Sequence, residues 1–446
     1  MSTPTLAELQ LTRDVTIRDV QVVDVRFPTS LFRIGSDAVN TDPDYSAAYI
    51  TLVTDTEEQG YGLTFTLGRG TEVCVLAIQF LAGFVRGRKL SAIVSDFGVF
   101  VRELVRDTQF RWLGPEKGVV HLAAAALINA VWDLYARVAG KPVWQLLAEM
   151  PSEHLVRLMD FSYITDALTP AEAYEILQAG QVGLAERLAE LKRTGVPAYT
   201  TSPGWIGLRD DEVRTLCTQA AAQGFRHVKM KVGGAHEEDM RRAALIRSTL
   251  PPYMRLMMDA NQRWDVGEAI ERTRALSVFD PWWMEEPTSP DDILGHAAIR
   301  RETGVRIATG EHCQNRVIFK QLLQAGATDV VQIDSCRLAG VNENVTVLLL
   351  AAKFGVPVCA HAGGVGLCEY VQHLAAFDYL RVACTFENRV TEFVDHLHEH
   401  FTDPVEMVNG HYRLPIAPGY SAQMWDASVA EFQFPHGRAW ADHESV

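Results

Sequence analysis

Apolar, β-branched and aromatic residues concentrate at 20–27 and 47–54, the texture of strands. Between them, residues 33–44 are dense in glycine, proline and Asx residues, which predicts a long loop. A loop of that length inside a compact domain is commonly a lid or a binding loop, although a plain surface connection has the same composition. From 71 to 150 the apolar spacing turns helical, and an alanine run at 123–126 sits in a helix that should stop near Gly140. More helix is predicted over 168–194. The first unit therefore reads as an α+β domain over 1–155.

Beyond about 195 the texture changes. Short strand-like pieces at 198–202, 227–232, 255–260, 282–286, 306–310, 330–333 and 356–360 alternate with helical stretches at 211–223, 237–248, 266–276, 315–325 and 342–354. An eighth strand is predicted at 379–383. Repeated βα units mean a parallel sheet, and eight at this spacing predict a closed barrel rather than an open doubly wound sheet. The barrel would occupy 156–400, leaving 401–446 as a C-terminal segment.

The chain has 446 residues, 48% of them apolar, and a formal net charge of −15. That supports a large core and argues against nucleic acid or an anionic membrane as partner. It leaves room for an anionic small substrate, because a metal ion or a pair of lysines dominates the field inside a cleft. The seven cysteines form no CxxC pair, so a disulfide framework is not expected and a reducing, cytoplasmic setting fits. The first nineteen residues carry charges and no apolar core, unlike a secretory signal. The apolar runs at 121–132 and 345–352 fall short of the roughly 18 residues that a membrane span needs.

Polar residues recur at the ends of the predicted barrel strands: Lys229 and Lys231, Asp259, Glu285, Glu311, Asp334 and His361. Each step is one βα unit. In a barrel the C-terminal strand ends meet at one face, so these residues would converge. Three carboxylates from successive strands repel one another unless a divalent cation joins them, and an all-oxygen set suits Mg²⁺. Any one such acid alone is more often a solvated strand end or a helix cap. Lysines two apart on a strand share a face, and neighbouring ammonium groups depress each other's pKa, as a general base requires; both could instead snorkel at the rim. His361 suits a general acid with Asp334 to orient it, or a structural histidine. His396, His398 and His400 superficially suggest a metal site, but their spacing favours a polar helix face or capping role.

The runs Arg111-Trp-Leu-Gly-Pro-Glu-Lys-Gly118, Asp259-Ala-Asn-Gln-Arg-Trp-Asp265, Glu285-Glu-Pro-Thr-Ser-Pro-Asp-Asp292 and His361-Ala-Gly-Gly-Val-Gly-Leu-Cys-Glu369 resemble the mandelate-racemase subgroup of the enolase superfamily, and within it the L-fuconate dehydratases. The resemblance runs from about 20 to 440. It implies an α+β capping domain on a modified (β/α)7β barrel, with the C-terminal segment returning to the cap. It implies one Mg²⁺ per subunit on Asp259, Glu285 and Glu311, Lys231 as the base and Lys229 on the substrate carboxylate. His361 would be the acid, with Asp334 its partner. Asn261 and Glu392 would contact the substrate, and Gly35, Ser36, Asp37 and Tyr45 would belong to a cap loop that closes over it. The implied ligand is a small sugar acid and the implied assembly a homo-oligomer. The chain departs from the pattern at Ser162, Val39 and Phe32-Arg33-Ile34, none of them in the metal or acid–base set. Dehydration of L-galactonate or another hexonate, racemisation of a 2-hydroxy acid, and a silent scaffold are the alternatives.

Overall fold

A computed structural model describes residues 4–32 and 34–441. Arg33, one of the departures above, lies outside the described residues, as do 1–3 and 442–446 at the ends of the expected domains.

The first unit is built on an antiparallel sheet in the order β1 (Ile17–Arg26), β2 (Ser46–Thr54) and β3 (Gln59–Thr66). The alanine-rich helix Gly118–Ala139 lies across it and ends at Gly140, whose φ of 68° suits glycine. Sequence reasoning missed β3, which carries Gly60 and Gly62. Both glycines are there for close approach: a Cβ at Gly62 would stand 2.4 Å from the Ala126 carbonyl oxygen, and one at Gly60 would stand 2.6 Å from that of Ala130. Helix and strand are small where they touch. The helix is also longer than its unbroken apolar run suggested. By length and composition it could cross a membrane, but most of it is buried inside the protein as a core helix.

The barrel strands are β4 (Val196–Thr200), β5 (His227–Lys231), β6 (Arg255–Asp259), β7 (Pro281–Glu285), β8 (Ile307–Thr309), β9 (Val330–Val331) and β10 (Thr391–Phe393), with neighbours β4 to β9 parallel in that order. Segment 356–360 takes the seventh strand position through one bridge, Val331 to Val358, and the Cys359 N–H donates to the Val331 carbonyl at 2.9 Å. The Glu392 N–H then donates to the Ala360 carbonyl at 3.1 Å, and β10 pairs with β4, closing the ring. Helices Asp210–Ala222, His236–Thr249, Val266–Leu276, Ile293–Thr303, Arg316–Gln324, Val341–Lys353 and Leu367–Phe377 alternate with the strands. This is a modified (β/α)7β barrel. Tyr199, Met257, Trp283, Ala308, Val330 and Cys359, each from a different strand position, form their own buried cluster.

The eighth strand is not at 379–383. Asp378–Val382 is a π-helical continuation of helix Leu367–Phe377, and its Arg381 is buried, donating to the Met150 carbonyl at 3.0 Å. The predicted helix over 168–194 is two, Pro170–Ala179 and Leu184–Thr194.

After β10 the chain adds β11 (Met407–Val408) and β12 (His411–Tyr412), the latter antiparallel on β4, and returns to the first sheet. There Gln433 bridges Val25, and the Trp440 indole donates to the Arg26 carbonyl at 3.0 Å. A buried guanidinium joins the two units: Arg316 faces Glu343 at 3.1 Å, Asp160 at 3.0 Å and Glu116 at 3.4 Å. Its Nε also donates to the backbone carbonyl of Ser162, so that departure contributes through a group every residue has. Close by, Asn129 and Trp132 of helix Gly118–Ala139 donate to the Ser335 carbonyl at 3.2 Å and to Asn342 Oδ1 at 2.8 Å.

Candidate active site

Strand register sets the site. Lys231 pairs with Asp259, and Asp259 with Glu285, so three charged side chains stand level at the ends of β5, β6 and β7. Lys229, two residues before Lys231, shares its face. The Lys231 ammonium donates to Asp259 Oδ2 at 2.7 Å. Lys229, only 1% exposed, donates to Glu285 Oε1 at 2.6 Å and lies 2.9 Å from Glu392 Oε1 and 3.3 Å from Asp259 Oδ2.

Burial alone would pull the Lys231 pKa down, and Lys229 adds to that. The carboxylates of Asp259, Glu311 and Asp37 outweigh both and hold it above the ordinary lysine range. Lys229 is held high too, against its burial, by Glu285 and Glu392. Lys229 does depress Lys231, as expected of neighbouring ammonium groups, but the carboxylates around them outweigh it and both lysines are held high instead.

Oxygen atoms of Asp259, Glu285 and Glu311 lie within 4.8 Å of one another, and Glu311 Oε2 is buried with no hydrogen-bond partner. An all-carboxylate trio with an unsatisfied oxygen is the donor set of a hard divalent cation. Glu311 also belongs to a second group with Glu286 and His312. Of the adjacent acids, Glu285 faces Lys229 and accepts from the Trp283 indole at 3.0 Å, whereas Glu286 accepts from the Gln262 amide at 2.6 Å.

His361 stands across Glu392 from Lys229. Its Nδ1 is 2.9 Å from Asp334 Oδ2, and its Nε2 is 3.2 Å from the Gly363 backbone nitrogen, 3.5 Å from Glu311 Oε2 and 3.7 Å from Glu392 Oε2. Burial disfavours the imidazolium, but Glu311, the Asp334 hydrogen bond and Glu392 prevail and push the His361 pKa up to about 9. Asp334 is fixed in turn: its Oδ1 accepts the backbone N–H groups of Cys336 at 2.8 Å and Arg337 at 2.6 Å.

A cavity of about 330 Å³ opens above these groups. Lys231, Asn261, Glu311, Asp334, His361 and Glu392 line it from the barrel, and Gly35, Asp37 and Tyr45 from the loop. Lys229, Asp259 and Glu285 are buried beneath it. Ser36 is not in the lining; its hydroxyl donates to the Thr41 carbonyl at 3.0 Å and shapes the loop. Asp37 does the same, accepting from the backbone N–H groups of Val39 at 2.7 Å and Asn40 at 2.6 Å. Gly35 has φ +75°, and a Cβ there would strike the Tyr45 hydroxyl at 2.2 Å. Val39 lines the cavity and is otherwise exposed. Asn261 holds φ 44°, donates its N–H to Asp259 Oδ1 at 2.9 Å, and has a buried, unpaired Oδ1.

Sequence reasoning missed Trp205, Gln262, His312 and Arg337 in the lining. Gln262 and His312 directly follow singled-out residues, which was the available signal. The histidines near 400 do not converge: His398 bonds Glu369 at 2.7 Å, His400 bonds Ser428 at 3.0 Å, and the His396 ring lies against Tyr45 and Trp205.

Residues 212–428 match the family described as enolase C-terminal domain-like. Human mitochondrial enolase superfamily member 1 is 57% identical over 429 residues, which cover 95% of this chain and 97% of that protein. The chain belongs to the enolase superfamily. A second relative, the L-galactonate dehydratase of Hypocrea jecorina, is 51% identical over 435 residues, 96% of each chain. The crystal structure of the human protein superposes with a TM-score of 0.95 at 56% identity, covering 97% of this chain and 98% of that one.

Proposed function

We propose that this chain is a Mg²⁺-dependent hydro-lyase that converts a sugar acid, with L-fuconate preferred, to the 2-keto-3-deoxy acid. The observation that carries it is the pairing of Lys231 with His361 on separate strand ends of one cavity, over a buried carboxylate trio. Asp259, Glu285 and Glu311 would hold the ion. When bound, it supplies positive charge to the substrate carboxylate and makes the proton on C2 more acidic. It would also neutralise the carboxylates that now hold Lys231 protonated, freeing that amine to act as a base.

Lys231 takes the C2 proton. Lys229, its ammonium fixed by Glu285 and Glu392, adds positive charge beneath the developing enediolate. The C3–O bond then breaks as His361 Nε2 delivers a proton to the departing hydroxyl, which leaves as water. The resulting enol becomes the ketone. Asp334 keeps Nδ1 occupied so that Nε2 faces the cavity. Asn261 and Glu392 contact the sugar acid, and the loop carrying Gly35, Asp37 and Tyr45 closes over it and excludes water.

A second substrate, L-galactonate, is favoured by the relative of that name. L-Fuconate is 6-deoxy-L-galactonate, so the two share every reacting atom and differ at C6. A keto-acid assay over hexonates and 6-deoxyhexonates, with Mg²⁺ and with chelator, tests the proposal. Mg²⁺-dependent keto acid from L-fuconate is expected. Product from L-galactonate alone would move the substrate, and C2 epimerisation without keto acid would overturn dehydration.

A further inference from the structure

Arg337 is the one guanidinium among the described residues that lines the cavity. Every other basic group in the lining has a carboxylate at hand: Lys231 has Asp259 at 2.7 Å, His312 has Glu286 at 3.4 Å and His361 has Asp334 at 2.9 Å. Arg337 has none. Its Nε is buried without a hydrogen-bond partner, and its guanidinium makes no ion pair with any described residue. A guanidinium is always charged, offers five donors and accepts nothing. Leaving it partly buried and unpaired is costly. Its terminal nitrogens are not buried, so a ligand filling the cavity can supply their acceptors in place of solvent.

Its position says which part of a ligand that would be. The backbone N–H of Arg337 is tied to Asp334, so the side chain leaves the rim on the His361 flank. Its charge acts on Asp334 of the barrel rim as well as on Cys74 and His121 of the first unit, and the cavity it lines also takes in Phe65, Thr66 and Leu122 of that unit. The lysines and the carboxylate trio lie at the strand ends of β5 to β8. A sugar acid whose carboxylate sits over that trio has only its far carbons left to reach the seam.

We propose that Arg337 is the specificity residue for the distal half of the substrate, donating hydrogen bonds to the oxygen on C5 and, where present, on C6. The proposal rests on the sugar-acid reading above and adds to it which end of the acid is recognised. The preferred ligand class is a polyhydroxylated acid of five or more carbons, rather than a short 2,3-dihydroxy acid.

The test compares wild type with Arg337→Met and Arg337→Lys on two acids of matched C2 and C3 configuration, one of six carbons and one ending at C4. A charge-assisted hydrogen bond lost from a ligand-filled cavity corresponds to about 10- to 100-fold in kcat/KM. That loss is expected for Arg337→Met on the six-carbon acid, with less than about 3-fold on the four-carbon acid. Arg337→Lys, which keeps charge but not the fork, should fall between. Equal losses on both acids in both variants would reduce Arg337 to a structural residue and overturn the proposal, as would no loss on either. Calorimetric titration of the same acids, with Mg²⁺ present, separates this from the proposed reaction. Selective loss of six-carbon binding keeps the role of Arg337 even where wild type forms no keto acid. Failure of wild type to bind either acid overturns both.

Discussion

Asp334→Asn isolates the acid half of the proposed reaction. In the wild type one Asp334 oxygen accepts two backbone N–H groups, at 2.8 Å and 2.6 Å, and the other holds His361 Nδ1 at 2.9 Å. An asparagine must keep its oxygen on the two backbone donors, because its amide nitrogen cannot accept from them. The amide nitrogen then faces Nδ1, and a donor stands where His361 needs an acceptor. The lost interaction is a buried, charge-assisted hydrogen bond worth about 1.5–3 kcal/mol, or roughly 10- to 150-fold in rate if it is all expressed in the loss of the 3-hydroxyl. Two rates on one substrate read this out: keto-acid formation, and exchange of the C2 proton with deuterated water. Keto-acid formation should fall about 10- to 100-fold. Exchange, assigned to Lys231, should stay within about 3-fold. The sign of the pH effect follows. Asp334 is one of the groups that raise the His361 pKa to about 9, so its loss lowers that pKa, and the deficit in dehydration should widen as pH rises. Parallel loss of both rates, or loss of neither, would refute the division of labour.

Lys231→Ala should fold, bind Mg²⁺ by calorimetry and lose C2 exchange by about 100- to 10,000-fold; full exchange would remove Lys231 as the base. Arg316→Met leaves Glu116, Asp160 and Glu343 facing one another without their cation, and should cost about 3–5 kcal/mol in urea unfolding. A change below about 1 kcal/mol would mean the cluster is better solvated than its burial indicates. Burial holds the His121 and His373 pKa values at about 3, below the unfolded value of 6.5. The unfolded chain therefore binds the extra protons between those limits, and stability should fall as pH drops from about 6.5, with a limiting slope of about 1.4 kcal/mol per pH unit for each histidine. His373→Gln should flatten that slope in urea titrations at pH 5 and pH 7, and an unchanged slope would count against the assignment.

The barrel was legible because its alternation is regular and because a charged residue ends most strands. Asp259, Glu285, Glu311, Asp334 and His361 could be picked out together only because the repeat put each at the same point of its unit. The last strand was not legible. Thr391-Glu-Phe393 is three residues long with an acid in the middle, and it is a strand because Lys229 and the Ala362 N–H satisfy Glu392 inside the barrel. The apolar stretch at 379–383 suited a strand equally well and became helix through burial of Arg381. Strand β3 was hidden by glycines whose purpose shows only against the helix they touch. Arg337 was invisible for a different reason: an arginine in a loop carries no signal until its lack of a partner can be seen.

The anchoring of the segment after β9 by helix Gly118–Ala139 bears on how such an enzyme would fail. Ser335 directly follows Asp334, and its carbonyl is held by Asn129 of the first unit. The lysine half of the site is ordered by strand pairing within the barrel, whereas the histidine half, though its His361 N–H donates to the Ile333 carbonyl at 3.0 Å, also leans on the first unit. Heat or denaturant that opens this joint would strip the acid from a scaffold still able to exchange protons. If that opening costs less than global unfolding, it and not the melting of the whole molecule would set the temperature ceiling for turnover.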